Sequence, residues 1–186
     1  LANASIWQVT PQRQVHYLID GRAEVLQGHH VLIATGAFER PMPIPGWTLP
    51  GVMTAGAGQI LLKSAALVPQ GPVVLAGCGP LLYLLAVQYL RAGIAIEALV
   101  DTSGCGDLAR AWRTIPGALR GWRDLRKGLH LLVELKRAGV RHFRDARDLR
   151  IEGPVQASAL SFDSGDRRWT IPASLILLHQ GVVPNT

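Results

Sequence analysis

Three residues near the middle of the chain have the types and spacing to hold a phosphorylated ligand: Gly77, Gly79 and Asp101. Apolar β-formers at Val73–Ala76 run into Gly77-Cys78-Gly79-Pro80, and a helical pattern follows over Leu81–Ala92, closed by Gly93. Strand, glycine turn and helix start are the geometry in which backbone N–H groups and a helix N-terminus hold a pyrophosphate. The first glycine permits the tight turn, and the second lets a phosphate approach without striking a Cβ. Pro80 suits the first helical position, where its missing N–H costs nothing, and Leu81 follows it in that first turn.

Asp101 lies 101 − 79 = 22 residues beyond the second glycine, at the end of the next apolar run, Ile94–Val100. A carboxylate there can accept from the diol of an adenosine ribose, and it repels a 2′-phosphate. The expectation is therefore NAD over NADP. A third glycine, serving close helix–strand packing, would fall at position 82, where this chain has Leu82. A turn of this shape that binds nothing, or binds another adenine nucleotide, stays open on that account.

The elements that position these residues can be read outward from the turn. Alternating stretches at Ser5–Thr10, Gln14–Asp20 and Ala23–Gln27 predict strands, with Asp20-Gly21 as a hairpin turn. The continuous apolar run His30–Thr35 predicts a strand buried on both faces, ending at Gly36. Prolines between Pro41 and Pro50 exclude helix or central strand there, Ala55–Leu67 predicts a helix, and Pro69–Pro72 marks a domain boundary. From Leu108 to Ala138 the pattern is helical, broken at Pro116-Gly117. Short strands are predicted near Val140–Phe143, Leu149–Glu152, Ala157–Phe162 and Arg168–Ile171, and an apolar one at Ser174–Leu178. The fold class is α/β: a Rossmann-like domain with a parallel sheet and a β-meander over 70–186, preceded by a partial second domain and linker over 1–69.

Hydrophobic residues make up 48% and charged ones 17%, which allows a substantial core and excludes wholesale disorder. The formal charge of +6 comes largely from Arg113, Arg120, Arg123, Arg126, Lys127, Lys136 and Arg137, interleaved with Trp112, Trp122 and leucines. That is the solvated face of amphipathic helices, or a docking surface for an acidic partner subunit; no nucleic-acid motif accompanies it. Cys78 and Cys105 lack the spacing of a redox pair or a zinc site, and Cys78 is read as a small residue the turn requires. A reducing, cytoplasmic setting fits them. No apolar run reaches the roughly 20 residues of a membrane span.

VLIATGAFERPMPIPGW-LPGVMTAGAGQILLK followed by VVLAGCGPLLYLLAVQYLRAG closely resembles the FAD-dependent pyridine nucleotide–disulfide oxidoreductases. Within them it is most similar to the branch holding the flavin-binding subunits of opine dehydrogenases, hydrogen cyanide synthase and sarcosine oxidase. The closing LILLHQGVVPNT resembles that branch's end-of-domain strand. The resemblance implies a split FAD domain with an NAD domain inserted into it. It places Ala34-Thr35-Gly36 against the FAD, and Gly181 at the close of the NAD domain near the nicotinamide. It further implies an oxidoreductase acting on a small amine, opine or amino-acid-derived substrate, in partnership with a dehydrogenase subunit.

Two parts of the family pattern are missing from these residues: the glycine-rich turn for the FAD pyrophosphate and the late Gly-Asp segment near the ribityl chain. The expectation is that the 186 residues alone are inactive and hold no FAD. The family's C-x-x-x-x-C pair is missing too, which argues against a disulfide reductase. A non-catalytic nucleotide-binding or assembly module remains the rival reading. His179, ending an apolar strand near the site, is expected to line it or to be structural. The other five histidines have no partner pattern, and no residue can be named as acid or base. Glu39-Arg40 is expected to form an ion pair or a solvent-facing loop.

Overall fold

The computed structural model describes residues 1–104 and 121–185. Cys105, Trp112, Arg113, Arg120 and the Pro116-Gly117 break lie outside the described residues. By backbone proximity the chain divides into two units, one of Leu1–Gly36 with the chain end from Pro184, the other of Ala37–Val183.

The first unit carries an antiparallel meander of β1 (Ser5–Val9), β2 (Gln14–Ile19) and β3 (Arg22–Gln27). Asp20 and Gly21, with φ of 48° and 74°, close a two-residue hairpin between paired Ile19 and Arg22. Positive φ at both turn residues matches the twist of the flanking strands. His30–Thr35, expected as a buried strand, is neither a strand nor buried: Leu32 is 92% and Ile33 64% exposed. A run is buried on both faces only where strands flank it and layers cover it. None of the described residues pairs with it as a strand.

The second unit begins with β4 (Ala37–Glu39), β5 (Val52–Thr54) and α1 (Ala55–Ala65), continues through β6 (Val73–Gly77), α2 (Pro80–Arg91) and β7 (Ile96–Asp101), and resumes with α3 (Trp122–Arg137) and β8 (Arg141–Phe143). A meander of β9 (Arg147–Glu152), β10 (Ala159–Ser164) and β11 (Arg167–Pro172) follows, then β12 (Leu175–His179) and β13 (Val182–Pro184), which pairs with β4. The main sheet runs β5-β12-β6-β7-β8, every neighbouring pair parallel. The expected strand–turn–helix–parallel strand is therefore present over Val73–Asp101. Residues 37–69, expected on the other side of a boundary at 69/70, fall in this unit, because β5 pairs with β12.

Period-two alternation sorts the sheet's side chains between two cores. Val74, Ala76, Ala98, Val100, Ile176 and Leu178 meet the meander's Leu149, Ile151, Leu160, Phe162 and Ile171. Val73, Leu75, Leu99 and Leu177 face the other way, into a cluster with Leu82, Leu85, Ala86 and Tyr89 of α2. Those four α2 residues are spaced i, i+3, i+4, i+7, one helical stripe. Leu82 is thus a fully buried core residue where a close-packing glycine would stand. The close approach occurs instead at Gly58 of α1, where an added Cβ would lie 2.8 Å from the Tyr89 hydroxyl and 2.9 Å from Leu177. Among the described residues no helix is long and apolar enough to cross a membrane.

Candidate functional site: the glycine turn and its carboxylate

The turn lies at the carboxyl edge of the central strands β6 and β12, where Gly77 pairs in register with both His179 and Asp101. Gly77, at φ 133°, can carry no side chain, because a Cβ would collide with the backbone of His179. The Cys78 N–H donates to the His179 carbonyl at 2.9 Å and the Thr102 N–H to the Gly77 carbonyl at 2.8 Å. These bonds hold the turn between its two neighbouring strands. Gly79 is the N-cap of α2 at φ 94° and ψ 166°, and Pro80 takes the first helical position, as its residue type predicts. Leu81 follows in the first turn, where the Leu82 N–H donates to the Gly79 carbonyl at 3.3 Å.

The space beyond Gly79 is the test of whether a phosphate fits. A Cβ built on Gly79 meets within 4 Å only the His179 ring among the described residues, with Cδ2 and Nε2 each at 3.8 Å. The turn is therefore an open cradle bounded on one side by an imidazole. A cavity of about 420 Å³ adjoins it, lined by Gly79, Pro80, Tyr83, Asp101, Ser103 and Arg144 among others. The residues present fit a dinucleotide's pyrophosphate at the turn and an adenosine ribose at the acid.

Asp101 is 7% exposed and already engaged. Its Oδ1 accepts the Ser103 N–H at 2.8 Å, and its Oδ2 accepts the Tyr83 hydroxyl. Because the phenol proton points at Asp101, the Tyr83 oxygen is left to accept from His142 Nε2 at 3.2 Å. His142, given no role from sequence, thus ends a relay onto Asp101. Burial, the Asp101 hydrogen bond and the Asp101 charge raise the Tyr83 phenol well above its usual range, against the opposing charge of Arg144. Burial first, then Arg144, lower the His142 pKa, with Asp101 opposing. A neutral His142 with its proton on Nε2 suits the relay. Tyr83 had no signal of its own in the sequence: only the helical offset of four residues from Gly79 and the parallel register place it above Asp101.

Glu39 and His179 form a buried pair, Oε1 to Nδ1 at 2.5 Å, with side chains 9% and 4% exposed. Glu39 is thus neither solvent-facing nor paired with Arg40 as expected; its partner is His179, 140 positions away, which sequence spacing could not name. Gly181 has φ 93° and its carbonyl accepts the Arg40 N–H at 2.9 Å. In the other unit Ala34, Thr35 and Gly36 are exposed. The Thr35 hydroxyl donates to the Asn185 carbonyl, the Asn185 side chain returns a bond to the Thr35 carbonyl at 3.1 Å, and the Asn185 N–H reaches the Gly36 carbonyl at 3.1 Å. Asn185 is thus the strap of the Ala-Thr-Gly corner, a residue the sequence marks only as part of the closing segment.

No family model matches the chain. The chain is 43% identical over 182 residues to an opine oxidase subunit of Rhizobium meliloti (strain 1021), covering 97% of this chain and 40% of that protein. It is 31% identical over 173 residues to hydrogen cyanide synthase subunit HcnB of Pseudomonas aeruginosa, covering 89% of this chain and 37% of that one. Its fold matches the crystal structure of a FAD-dependent pyridine nucleotide–disulphide oxidoreductase from Desulfovibrio vulgaris with a TM-score of 0.53 at 17% identity, over 97% of this chain and 43% of that one. In fold the chain resembles the FAD-dependent pyridine nucleotide–disulfide oxidoreductases, and in sequence it is similar to this opine oxidase subunit and to HcnB. It spans about 40% of the length of the opine oxidase subunit it matches.

Proposed function

We propose that this chain supplies the NAD-binding domain, and one wall of the FAD site, of an oxidoreductase subunit that acts with a partner subunit on a small amine, opine or amino-acid-derived substrate. The observation that carries this reading is the open cradle over Gly79, with Asp101 at the neighbouring strand end and a cavity adjoining both. Gly77, Cys78, Gly79, Pro80 and Leu81 would hold the pyrophosphate, and Asp101 the adenosine ribose. Each Asp101 oxygen has one partner among the described residues, so each keeps a lone pair for a ribose hydroxyl. Ala34-Thr35-Gly36, braced by Asn185, would face the flavin, and Gly181 would lie near the nicotinamide. When bound, such cofactors carry the hydride, and the protein binds and orients them. The substrate class and the partner subunit rest on the named relatives.

A second reading, a nucleotide-binding or assembly module without catalysis of its own, is favoured by the same carboxylate. Tyr83 stands where a ribose hydroxyl would bond, and Leu82 fills the helix–sheet space. Calorimetric titration separates the two. The dinucleotide reading expects NAD to bind about ten- to a hundred-fold more tightly than NADP. Asp101→Asn should remove most of that preference, and Gly79→Val should abolish binding of both. Equal affinity for NAD and NADP would remove the role given to Asp101; no binding of either would leave the module.

A further inference from the structure

We propose that His179 is a phosphate-binding residue of this site, an imidazole fixed by Glu39 so that Nε2 meets the dinucleotide's pyrophosphate; this rests on the reading that a dinucleotide binds at Gly77–Gly79. His179 is the last residue of β12, and its main chain is locked to the turn by the Cys78 N–H. Among the described residues its ring is the sole group within 4 Å of the point where Gly79 lacks a Cβ, with Nε2 at 3.8 Å. A phosphate oxygen using the room that Gly79 leaves therefore meets the Nε2–Cδ2 edge of the ring.

The ring's orientation is built in from the far side. Nδ1 carries its proton toward Glu39 Oε1 at 2.5 Å, because a carboxylate only accepts. The other Glu39 oxygen accepts the Gly56 N–H, also at 2.5 Å, in the first turn of α1. A Cβ on Gly56 would lie 2.5 Å from that same oxygen, so the helix start is shaped around the carboxylate. Helix end, carboxylate and imidazole thus form a chain that presents Nε2, and not Nδ1, to the cradle. A merely structural histidine would need no such direction.

Among the described residues no arginine or lysine comes within 4 Å of the point where Gly79 lacks a Cβ, although Arg91 and Lys127 share a pocket with Pro80 and Leu81. The first four residues of α2 are Pro80, Leu81, Leu82 and Tyr83, and Asp101, at the adjoining strand end, is negative. Arg144 lines the cavity beside Asp101 and Tyr83. His179 is the side chain nearest the Gly79 cradle that, when protonated, can donate a charge-assisted hydrogen bond, and Glu39 balances the charge it then bears.

The test uses three probes on the intact protein: NAD, ADP-ribose, which keeps the pyrophosphate, and adenosine, which has none. His179→Asn retains an N–H for Glu39 while deleting the atom at Nε2. The expected result is a loss of about 10- to 100-fold in affinity for NAD and ADP-ribose, the range of one charge-assisted hydrogen bond, with adenosine unchanged. Should His179→Asn not fold, Glu39→Gln removes the charge behind the ring and is expected to weaken ADP-ribose, but not adenosine, by several-fold. ADP-ribose binding within two-fold of the unmodified protein, or an equal loss for adenosine, would overturn the assignment while leaving the dinucleotide site intact. If the unmodified protein binds neither NAD nor ADP-ribose, the dinucleotide reading itself fails and takes this inference with it.

Discussion

Two apolar runs that look alike in sequence end up differently. Val31–Thr35 and Val73–Gly77 are both short, continuous, rich in β-formers, and both lead to a glycine with positive φ. Val73, Val74, Leu75 and Ala76 are fully buried, between β12 and β7 and with core clusters on either face. Leu32 and Ile33 are exposed, and their run hydrogen-bonds in no sheet of the described residues. Periodicity reports what a segment's side chains would tolerate; burial is decided by the strands and layers that reach it. Under the proposed function the exposed run would belong to the FAD domain.

The largest effect expected from this contrast is at the two terminal glycines. Gly77→Ala drives a Cβ into the backbone of His179 in β12, and neither strand can withdraw, because β5 flanks β12 and Asp101 of β7 flanks Gly77 on their far sides. It should cost at least about 4 kcal/mol, enough to prevent folding of a marginal domain. Gly36→Ala meets nothing within 4 Å and bears only the strain of φ 76°, about 1–2 kcal/mol. Urea unfolding of the two variants is the measurement; equal losses would mean that the runs are not in such different surroundings.

A smaller contrast lies one step inside each run. Leu75→Ala empties a fully buried position and should cost about 2–5 kcal/mol. Leu32→Ala, in the same 186-residue chain, should stay within about 0.5 kcal/mol. The same substitution in a protein containing a complete FAD domain should move toward the Leu75 value. A small effect there as well would dissociate Val31–Thr35 from any core.

Much of the second unit was legible because its signals are local. Glycine spacing, an apolar run on each side and Pro80 at the helix start define β6, α2 and β7 within a few residues. The meander was legible as short strand-like runs near Leu149–Glu152, Ala157–Phe162 and Arg168–Ile171, which match β9, β10 and β11 closely. What escaped were contacts between distant positions: Glu39 with His179, Tyr83 with Asp101 and His142, Asn185 with Thr35. Each depends on parallel register or on a strand returning from far along the chain, and no spacing rule encodes that. The boundary at Pro69–Pro72 misled because prolines mark a break in regular structure, which in this unit lies between α1 and β6 of one fold.

The smallest effect sets one tyrosine in each unit against the other. Tyr17 donates to Glu24 at 2.7 Å in the first unit, and Tyr83 donates to Asp101 in the second. Both phenols are raised above the ordinary value of 10.0, Tyr17 first by its hydrogen bond, Tyr83 first by burial. Above pH 10 the unfolded chain releases these protons while the folded chain keeps them, so the folded state binds more protons and stability falls as pH rises. Their contribution is fully present below pH 10 and fades on the way to each folded value. Tyr83, part-buried and tied to an enclosed carboxylate, should account for the larger share, on the order of 1 kcal/mol once solvent screening is allowed for. Urea midpoints at about pH 8 and about pH 11 should therefore converge more in Tyr83→Phe than in Tyr17→Phe. If Tyr17→Phe flattens the alkaline decline more, the enclosure of Asp101 is weaker than the geometry around it implies, and the carboxylate is freer for a ribose than Tyr83 leaves it in this structure.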